Sequence, residues 1–227
     1  MGQPFFSIVI PTYNRSNLLK LAINSFLVQD FQDFEILVSD NNSTDNTKEI
    51  IESFYDKRII YLKNDQNIGA ASNMNKLLLL AQGKYIFTQG DDDVILFSNS
   101  LRKVYNLISD KNYGFIRLNF LSKDRNNIKI TNVWINEFSD ICLPKQTGSI
   151  ALLFFLDRVH VDFFSGLIFK NEDIKHGDFL ISELSPWIKI IFRLSKKYGA
   201  AFMSNNYIIA SWSKGDLSKV YYINKDN

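Results

Sequence analysis

Three consecutive carboxylates, Asp91–Asp93, are the residues of this chain whose chemistry is easiest to read. They follow the run Lys84–Gly90, whose aromatic and β-branched residues between two glycines predict a strand. Like charges held this close raise one another's pKa and oppose compaction, so a fold seldom keeps such a cluster for stability alone. Oxygen ligands suit Mg2+ or Mn2+. The pattern therefore predicts a divalent-cation site at a strand end, and a solvated acidic turn is the alternative for the triplet taken alone.

The composition is that of an ordinary globular protein and excludes some functions. The chain has 227 residues, 46% hydrophobic and 22% charged, which is enough for one large domain or for one domain with an appendage. A net charge of +2 without a dense basic run gives no electrostatic case for binding nucleic acid. Cys142 is the single cysteine of the sequence, so no intrachain disulfide forms, which fits a reducing compartment.

Neither a signal peptide nor a membrane span is expected from the sequence. The first residues lack a basic segment followed by an apolar stretch. The longest apolar run, Ile150–Leu156, is far shorter than the roughly 20 residues that cross a bilayer. We therefore expect a cytoplasmic protein.

The first half of the chain alternates strand and helix patterns. Strands are predicted at Phe5–Ile10, Phe34–Ser39, Ile59–Leu62 and Tyr85–Thr88. Helices are predicted at Ser16–Gln29 with Ser16 as the cap, at Asp45–Tyr55 and at Ala70–Ala81. This alternation predicts βαβ units and a mainly parallel sheet, in which ligands bind beyond the carboxyl ends of the strands.

Polar segments follow each of these four strands. They are Pro11–Arg15, Asp40–Asp45, Asn64–Gly69 and Gly90–Asp93. Each one alone has the composition of a turn. Because the carboxyl ends of parallel strands meet at one edge of the sheet, together they predict a functional rim.

The same segments resemble the family 2 glycosyltransferases of the GT-A fold. The matching stretches are Ser7-Ile-Val-Ile-Pro-Thr-Tyr-Asn-Arg15, Val38-Ser-Asp-Asn-Asn-Ser-Thr-Asp45, Asn67-Ile-Gly69 with Asn73, and Gly83-Lys-Tyr-Ile86 with the acidic triplet. They occur in the family's order over about the first half of the chain. The resemblance implies a three-layer α/β/α sandwich with a mostly parallel central sheet. It also implies an inverting sugar transfer from a nucleotide-sugar donor, with Mn2+ or Mg2+ held by the DXD-type motif.

The resemblance implies a role in donor or metal binding for each of the following rim residues. Asp93 is expected to bind the metal, with Asp91 at the metal's water shell or the ribose, and Asp92 is expected to contact the donor. Asp40 is expected to accept a hydrogen bond from the base. The remaining expected donor contacts are Pro11, Thr12, Tyr13, Asn14, Arg15, Asn67, Gly69 and Asn73. Alternatively, Tyr13 could be an ordinary packing residue, and Arg15 could be a surface cation at the edge of the sheet. The family often carries an arginine just before the Asn73 position, where this chain has Ser72.

The second half of the chain is expected to bind the acceptor. Residues 1–120 would form the donor half of a single domain, and residues 121–227 the acceptor half and C-terminal extension. Helices are predicted at Leu96–Ser109, Ser149–Leu156 and Pro186–Tyr198, with strands at Tyr113–Leu121 and Phe163–Phe169 and a polar segment at Ser122–Asn136.

Inversion requires a general base that deprotonates the acceptor hydroxyl. The acidic pair that the family usually places in this region is absent from Asp178–Pro186. We expect Glu183 to be the base, with Asp178 second, although an acidic residue near a helix start also favours the macrodipole. His160 and Asp162 are weaker candidates for an acceptor or metal contact, because a lone histidine is more often structural.

The expected partners are a nucleotide-sugar donor and a saccharide or lipid-linked saccharide acceptor, as in the synthesis of bacterial surface polysaccharides or glycoconjugates. The tail from Lys214 to Asn227 could touch the inner face of the cell membrane or be a solvated end. Two other functions stay open. A sugar-nucleotide nucleotidyltransferase usually has a glycine-rich loop after its first strand, and Pro11–Arg15 has no glycine. A non-catalytic nucleotide-sugar binding module would explain the missing acidic pair.

Overall fold

The sheet at the centre of the molecule has ten strands among the residues that the structure describes. The computed structural model describes residues 2–123, 130–133, 140–145, 164–176 and 186–210. The strands are β1 (Phe6–Thr12), β2 (Phe34–Asp40), β3 (Ile59–Lys63), β4 (Tyr85–Thr88), β5 (Val94–Ile95), β6 (Phe115–Lys123), β7 (Ile130–Val133), β8 (Ile141–Leu143), β9 (Leu167–Lys170) and β10 (Ala200–Ala210).

Strand order follows β3-β2-β1-β4-β9-β6-β10-β5, with β7 paired to β6 and β8 to β10. The first four strands are parallel to one another, and so are β6 and β10. Strand β9 lies between β4 and β6 and is antiparallel to both. Strands β1 to β4 therefore join the rest of the sheet through β9.

Helices cover both faces of this sheet. They are α1 (Ser16–Leu27), α2 (Thr47–Glu52), α3 (Ala70–Leu80), α4 (Ser100–Ile108) and α5 (Pro186–Tyr198), with a short 3-10 helix at Asn171–His176. Successive residues of a strand point to opposite faces. Thus Ile8 packs with the α1, α2 and α4 side, whereas its neighbour Val9 packs with α3 and α5. Two apolar layers, one on each face, give the predicted α/β/α sandwich.

Strand β1 extends two residues further than the sequence predicts, through Pro11 to Thr12. Its pairing with β4 ends at Val9, while its pairing with β2 continues to Thr12 and Asp40. Beyond Val9 the strand thus has a single neighbour, which tolerates a residue without an N–H group. The extension carries Thr12 out to the rim.

Helix α4 is shorter than the predicted Leu96–Ser109, because it begins only at Ser100. The residues just before it pair with β10 instead. Val94 and Ile95 form β5 against β10, and the Leu96 N–H donates to the Tyr207 carbonyl at 2.7 Å. Strand β10 was not predicted from the sequence, and its pairing with β6 is irregular between Met203 and Ile208. That irregularity breaks the alternation on which a strand prediction depends.

The other boundaries differ by a few residues. Helices α1, α2 and α3 end before their predicted limits, β6 begins at Phe115, and β9 begins at Leu167, after Gly166. Helix α5 occupies the predicted residues, with Ile190, Ile191 and Leu194 buried. The predicted helix Ser149–Leu156 lies outside the described residues.

Candidate functional site

The carboxyl ends of β1 to β4 bring the four polar segments to one edge of the sheet. In the register, Thr12 lies beside Asp40 and Asp40 lies beside Lys63. The acidic triplet follows β4, the other neighbour of β1. The rim predicted from the sequence is therefore a continuous surface built from consecutive βα units.

Asp91 is held by two residues of the first rim segment. Its Oδ2 accepts a hydrogen bond from the Thr12 hydroxyl at 2.8 Å, and its Oδ1 accepts one from Arg15 Nη1 at 3.0 Å. The same Arg15 nitrogen donates to Asp92 Oδ2, also at 3.0 Å. One guanidinium thus bridges two of the three carboxylates.

Burial and this bridge act on the charge states in opposite directions. Burial raises the pKa of Asp91 above its ordinary value, although the Thr12 hydrogen bond and the Arg15 charge favour the ionised form. The charge of Asp91 raises the pKa of Arg15, which stays protonated. Half of the Arg15 side chain is exposed, against 8% of that of Asp91, so the arginine has room to leave the carboxylates.

Asp93 is held from another part of the chain. Its Oδ2 accepts a hydrogen bond from the hydroxyl of Ser165, a fully buried residue just before β9. The Ser165 hydroxyl in turn accepts a hydrogen bond from the Gly90 N–H at 2.8 Å. A Cβ on Gly90 would lie 2.8 Å from Asp93 Oδ2 and 3.2 Å from Asp92 Oδ1, so a side chain at this position would crowd the triplet.

Asp40 is completely buried, and its two oxygens bind neighbouring protein groups. Oδ1 accepts from the Ser43 N–H at 2.7 Å, and Oδ2 accepts from the Tyr61 hydroxyl at 2.6 Å. Burial and the hydrogen bond to Asp40 raise the pKa of Tyr61. The carboxylate thus fixes the turn after β2, and its predicted contact with a base stays a prediction.

The first two rim segments are tied to each other. The Asn14 N–H donates to the Ser43 hydroxyl at 2.9 Å, and Asn14 Oδ1 accepts from the Thr44 N–H at 2.8 Å. Asn14 has a left-handed backbone with φ 54°, which asparagine tolerates better than most residues. Tyr13 is 45% exposed beside it, so its ring is available to a ligand.

Helix α1 is capped by Asp45, whereas the sequence predicts Ser16 as its own cap. Asp45 Oδ2 accepts from the Ser16 N–H at 3.0 Å, and Oδ1 accepts from the Thr47 hydroxyl at 2.5 Å. Burial alone would raise the pKa of Asp45, but hydrogen bonds from Thr47 and Ser16 hold it below its ordinary value. One carboxylate thereby positions the starts of two helices.

An amide network lies beneath the rim between β2, β3 and α3. Asn73, which is 1% exposed, accepts from the Ser39 hydroxyl at 2.7 Å and from Asn64 Nδ2 at 2.8 Å, and it donates to the Ser39 carbonyl at 2.8 Å. Asn67 Oδ1 accepts from Asn41 Nδ2 at 2.7 Å and from the Gly69 N–H at 2.9 Å.

Gly69 has φ 81° at the start of α3, a conformation that favours glycine. The network therefore fixes where α3 begins, and it leaves Asn67 and Gly69 at the surface.

The predicted donor residues divide by exposure. Five are exposed and able to touch a ligand directly: Tyr13, Asn14, Arg15, Asn67 and Gly69. Pro11 and Asp92 are partly exposed, whereas Thr12, Asp40, Asn73, Asp91 and Asp93 are buried. The predicted bases Glu183 and Asp178, and also His160 and Asp162, lie outside the described residues.

The triplet fits a divalent cation that shares its ligands with a substrate. Within the described ranges, no group of three His, Cys, Asp or Glu side chains is arranged to hold a metal ion by itself. Mg2+ typically binds one or two carboxylates together with substrate phosphates, rather than a cage made wholly of protein. A carboxylate has about four acceptor positions, so Asp91 and Asp93 can accept further bonds beside their present ones.

Several residues that build the site gave no signal in the sequence. Ser165 is far from the triplet along the chain, and neither its residue type nor its neighbours mark it. Asn41 and Asn64 belong to the predicted polar segments, but position alone does not reveal which amides bind each other. Tyr61 lies within a strand pattern, where a tyrosine is ordinary.

A family model described as "Glycosyl transferase family 2" matches residues 7–175. The chain is 32% identical over 196 residues to the Campylobacter jejuni GalNAc(5)-diNAcBac-PP-undecaprenol beta-1,3-glucosyltransferase, covering 83% of this chain and 60% of the relative. It is 31% identical over 173 residues to the Escherichia coli UDP-Glc:alpha-D-GlcNAc-diphosphoundecaprenol beta-1,3-glucosyltransferase WfgD, covering 76% and 68% of the two chains. The chain thus spans three fifths of the length of the C. jejuni relative.

Two solved structures have a similar fold. S. aureus TarS in complex with UDP-GlcNAc superposes with a TM-score of 0.71 at 22% identity, over 95% of this chain and 61% of the other. Mannosyltransferase PcManGT from Pyrobaculum calidifontis, in complex with GDP-Man and Mn2+, superposes with a TM-score of 0.61 at 16% identity, over 90% and 58%. At these identities the likeness establishes the fold alone.

Proposed function

The chain belongs to glycosyl transferase family 2, and on that premise we propose that it transfers a sugar from a nucleoside-diphosphate donor to a hydroxyl group of a lipid-linked saccharide, with inversion and with a divalent metal. The GT-A-like fold predicted from the sequence is confirmed by the superposed structures. The observation that carries the proposal is the rim, where the acidic triplet lies beside an exposed tyrosine and a half-exposed arginine.

The donor site is proposed to be formed by the exposed rim residues. Tyr13 presents an exposed ring on which a base can stack, and Asn14 lies next to it. Arg15 is the cation beside the triplet that can bind a diphosphate through charge-assisted hydrogen bonds. Asn67 and Gly69, which are exposed beside the start of α3, are proposed to complete the site.

Departure of a nucleoside diphosphate needs neutralisation of its developing charge. A divalent metal, when bound, supplies a Lewis acid for the diphosphate. Asp93 and Asp91 are the residues proposed to hold it, and both are oriented by buried hydroxyl groups of the chain. Arg15 adds a second positive charge on the exposed side of the same carboxylates.

The proposed donor is a UDP-activated sugar, and the proposed acceptor is a saccharide on a polyprenyl diphosphate. The E. coli relative is named for UDP-Glc, and both bacterial relatives are named for diphosphate-linked undecaprenol substrates. Both are also named for β-linkages, which an α-configured nucleotide sugar gives by inversion. These names support the synthesis of surface polysaccharides or glycoconjugates as the role of this chain.

The acceptor side is proposed to lie in residues 121–227, with residues 1–120 as the donor half. Glu183 is the proposed general base and Asp178 the second choice. None of the helices in the described ranges combines the length and the apolar character needed to cross a membrane. We propose that the enzyme meets its lipid-linked acceptor from the cytoplasmic side, as a peripheral protein.

The first experiment is a calorimetric titration of UDP, GDP, CDP and dTDP, each with and without Mn2+, on the unmodified chain and on Asp93→Asn. Metal-dependent binding of UDP that Asp93→Asn abolishes is expected. No binding of any nucleotide would overturn the donor site, and equal binding with and without Mn2+ would overturn the metal assignment.

Transfer is tested separately with UDP-sugars and a polyprenyl-diphosphate saccharide. Glu183→Gln is expected to keep UDP binding and lose transfer, because the amide cannot accept the acceptor's proton. Turnover that survives this substitution would exclude Glu183 as the base. Release of pyrophosphate from a nucleoside triphosphate and a sugar phosphate would instead identify a nucleotidyltransferase.

A further inference from the structure

Ser165 joins the part of the chain assigned to the acceptor to the metal-binding triplet assigned to the donor. Its hydroxyl donates to Asp93 and accepts from the Gly90 N–H at 2.8 Å. Ser165 is 0% exposed and Asp93 is 4% exposed, so both bonds lie away from bulk water. A single buried hydroxyl therefore fixes both the backbone that enters the triplet and the last carboxylate of the triplet.

The loop that carries Ser165 is itself held on two sides. On the β4 side, the Thr88 hydroxyl donates to the Phe164 carbonyl at 2.6 Å, and the Gly166 N–H donates to the Thr88 carbonyl at 2.9 Å. On the β6 side, Arg117 Nη1 donates to the Ser165 carbonyl at 2.6 Å. These bonds clamp the Ser165 backbone between β4 and β6, so its hydroxyl has a defined position.

Arg117 is a buried cation that holds the Ser165 carbonyl. The guanidinium is completely buried and lies over the Phe120 ring, 4.9 Å from its centroid. Burying a charge is costly unless it is paired and hydrogen-bonded. The hydrogen bond from this buried group fixes the position of the Ser165 carbonyl.

Gly90 shows that the space around the Ser165–Asp93 hydrogen bond is full. A Cβ on Gly90 would lie 3.2 Å from Ser165 Oγ and 2.8 Å from Asp93 Oδ2. Gly166, on the other side, has φ 79° and would place a Cβ 2.6 Å from Ile208 Cδ1. Gly90 thus permits the close approach of the β9 loop to the triplet, and Gly166 permits its close approach to β6 and β10.

We propose that Ser165 is the positioning residue of the metal site: it orients Asp93 toward the cation and thereby sets metal affinity without touching the nucleotide. This inference rests on the proposed function, since it takes Asp93 as a metal ligand. Groups that hydrogen-bond to a metal-binding carboxylate orient it, and their loss typically weakens metal affinity roughly 10- to 100-fold. Ser165 comes from a separate part of the chain, so the metal site is complete only when the β9 loop is in place.

The test compares the unmodified chain with Ser165→Ala, Ser165→Cys and Ser195→Ala. Alanine is smaller than serine and cysteine is larger but donates only weakly, so a loss that both variants share follows from the hydrogen bond rather than from packing. Ser195 is also fully buried but lies in α5, so its substitution controls for the removal of a buried hydroxyl elsewhere in the fold. UDP affinity is measured by calorimetry in EDTA and across a Mn2+ series, and bound Mn2+ is measured by electron paramagnetic resonance.

Ser165→Ala and Ser165→Cys are both expected to weaken Mn2+ binding in the presence of UDP roughly 10- to 100-fold. UDP affinity in EDTA is expected to be unchanged in both, and Ser195→Ala is expected to change neither quantity. If Ser165→Ala does not fold, Ser165→Cys carries the test.

Unchanged Mn2+ affinity in the folded Ser165 variants would overturn the inference and leave the proposed function standing. An equal loss of UDP affinity with and without Mn2+ would also overturn it, because Ser165 would then shape the nucleotide site. Absence of any Mn2+ effect in the unmodified chain would overturn the metal in the proposed function, and the inference with it, before a variant is compared.

Discussion

Replacing Arg15 by methionine is expected to change metal and nucleotide affinity in opposite directions. Arg15 Nη1 lies 3.0 Å from Asp91 Oδ1 and 3.0 Å from Asp92 Oδ2, so it already supplies a positive charge where a cation would bind. A metal that binds these carboxylates must compete with it. A nucleotide diphosphate, in contrast, offers the released guanidinium a new anionic partner.

The size of the competition follows from the exposure of the pair. Half of the Arg15 side chain is exposed, so each ion pair lies in the weak, screened regime of surface salt bridges. Two such pairs contribute together about 0.5–2 kcal/mol. Their removal should therefore tighten Mn2+ binding in the absence of nucleotide by roughly 2- to 30-fold.

The effect on the nucleotide is larger and has the opposite sign. A hydrogen bond to a charged group contributes about 1.5–3 kcal/mol. Its loss in Arg15→Met should weaken UDP binding at saturating Mn2+ by roughly 10- to 100-fold. Mn2+ alone is measured by electron paramagnetic resonance, and UDP by calorimetry.

Arg102→Met is the matched control for this substitution. Arg102 has a similar exposure and pairs with Asp30 at 3.7 Å, but it belongs to α4 rather than to the rim. It should leave both affinities unchanged. Weaker Mn2+ binding by Arg15→Met without nucleotide would refute the competition, and undiminished UDP binding would refute the phosphate contact.

Two further predictions concern the frame of the rim. Asn73→Ala should lower the free energy of unfolding by about 2–4 kcal/mol, because it removes three buried hydrogen bonds, two with Ser39 and one with Asn64. The exposed Asn17→Ala is the control, and an equal loss of stability in both variants, measured by urea denaturation, would contradict this prediction. Asp45→Asn tests the cap of α1. Because the pKa of Asp45 is lowered in the folded state, its ionised form stabilises the fold above about pH 4. This stabilisation is lost as the pH falls through the folded-state pKa. The difference in unfolding free energy between the unmodified chain and Asp45→Asn should therefore narrow below about pH 4, and a pH-independent difference would exclude the charge of Asp45 as its cause.

The rim could be predicted from the sequence because its signals are local. Each strand pattern ends at a polar segment, and parallel strands place their carboxyl ends at one edge whatever the details of packing. The predicted strands therefore delivered Thr12, Asp40 and Asp91 to a common surface. The order of motifs along the chain was enough for this part of the fold.

Strand β10 and the hydrogen-bond partners within the rim could not be predicted from local sequence patterns. Strand β10 gains its place from β6 and β5, which are distant in sequence, and its irregular register removes the alternating pattern. Likewise, Asp45 caps α1 from the next βα unit, a contact that no local cap signal at Ser16 contains. Contacts of this kind depend on the tertiary structure rather than on neighbouring residues.

The acidic triplet could be predicted from the sequence, but the groups that hold its carboxylates could not. The sequence indicates that three adjacent carboxylates repel one another and predicts a cation. The structure shows that each carboxylate also has its own donor from a different element. Asp91 accepts from Thr12 at the end of β1, Asp92 from Arg15 before α1, and Asp93 from Ser165 before β9.

These three donors explain how the fold accommodates the triplet before any metal binds. Two of them are neutral hydroxyl groups that do not compete with a cation by charge, whereas Arg15 does. If a metal binds as proposed, the hydroxyl donors can stay in place, so Asp91 and Asp93 would keep their orientation while the half-exposed Arg15 moves. On that proposal, folding already orients Asp91 and Asp93 through Thr12 and Ser165, and binding of the metal and the donor would displace Arg15.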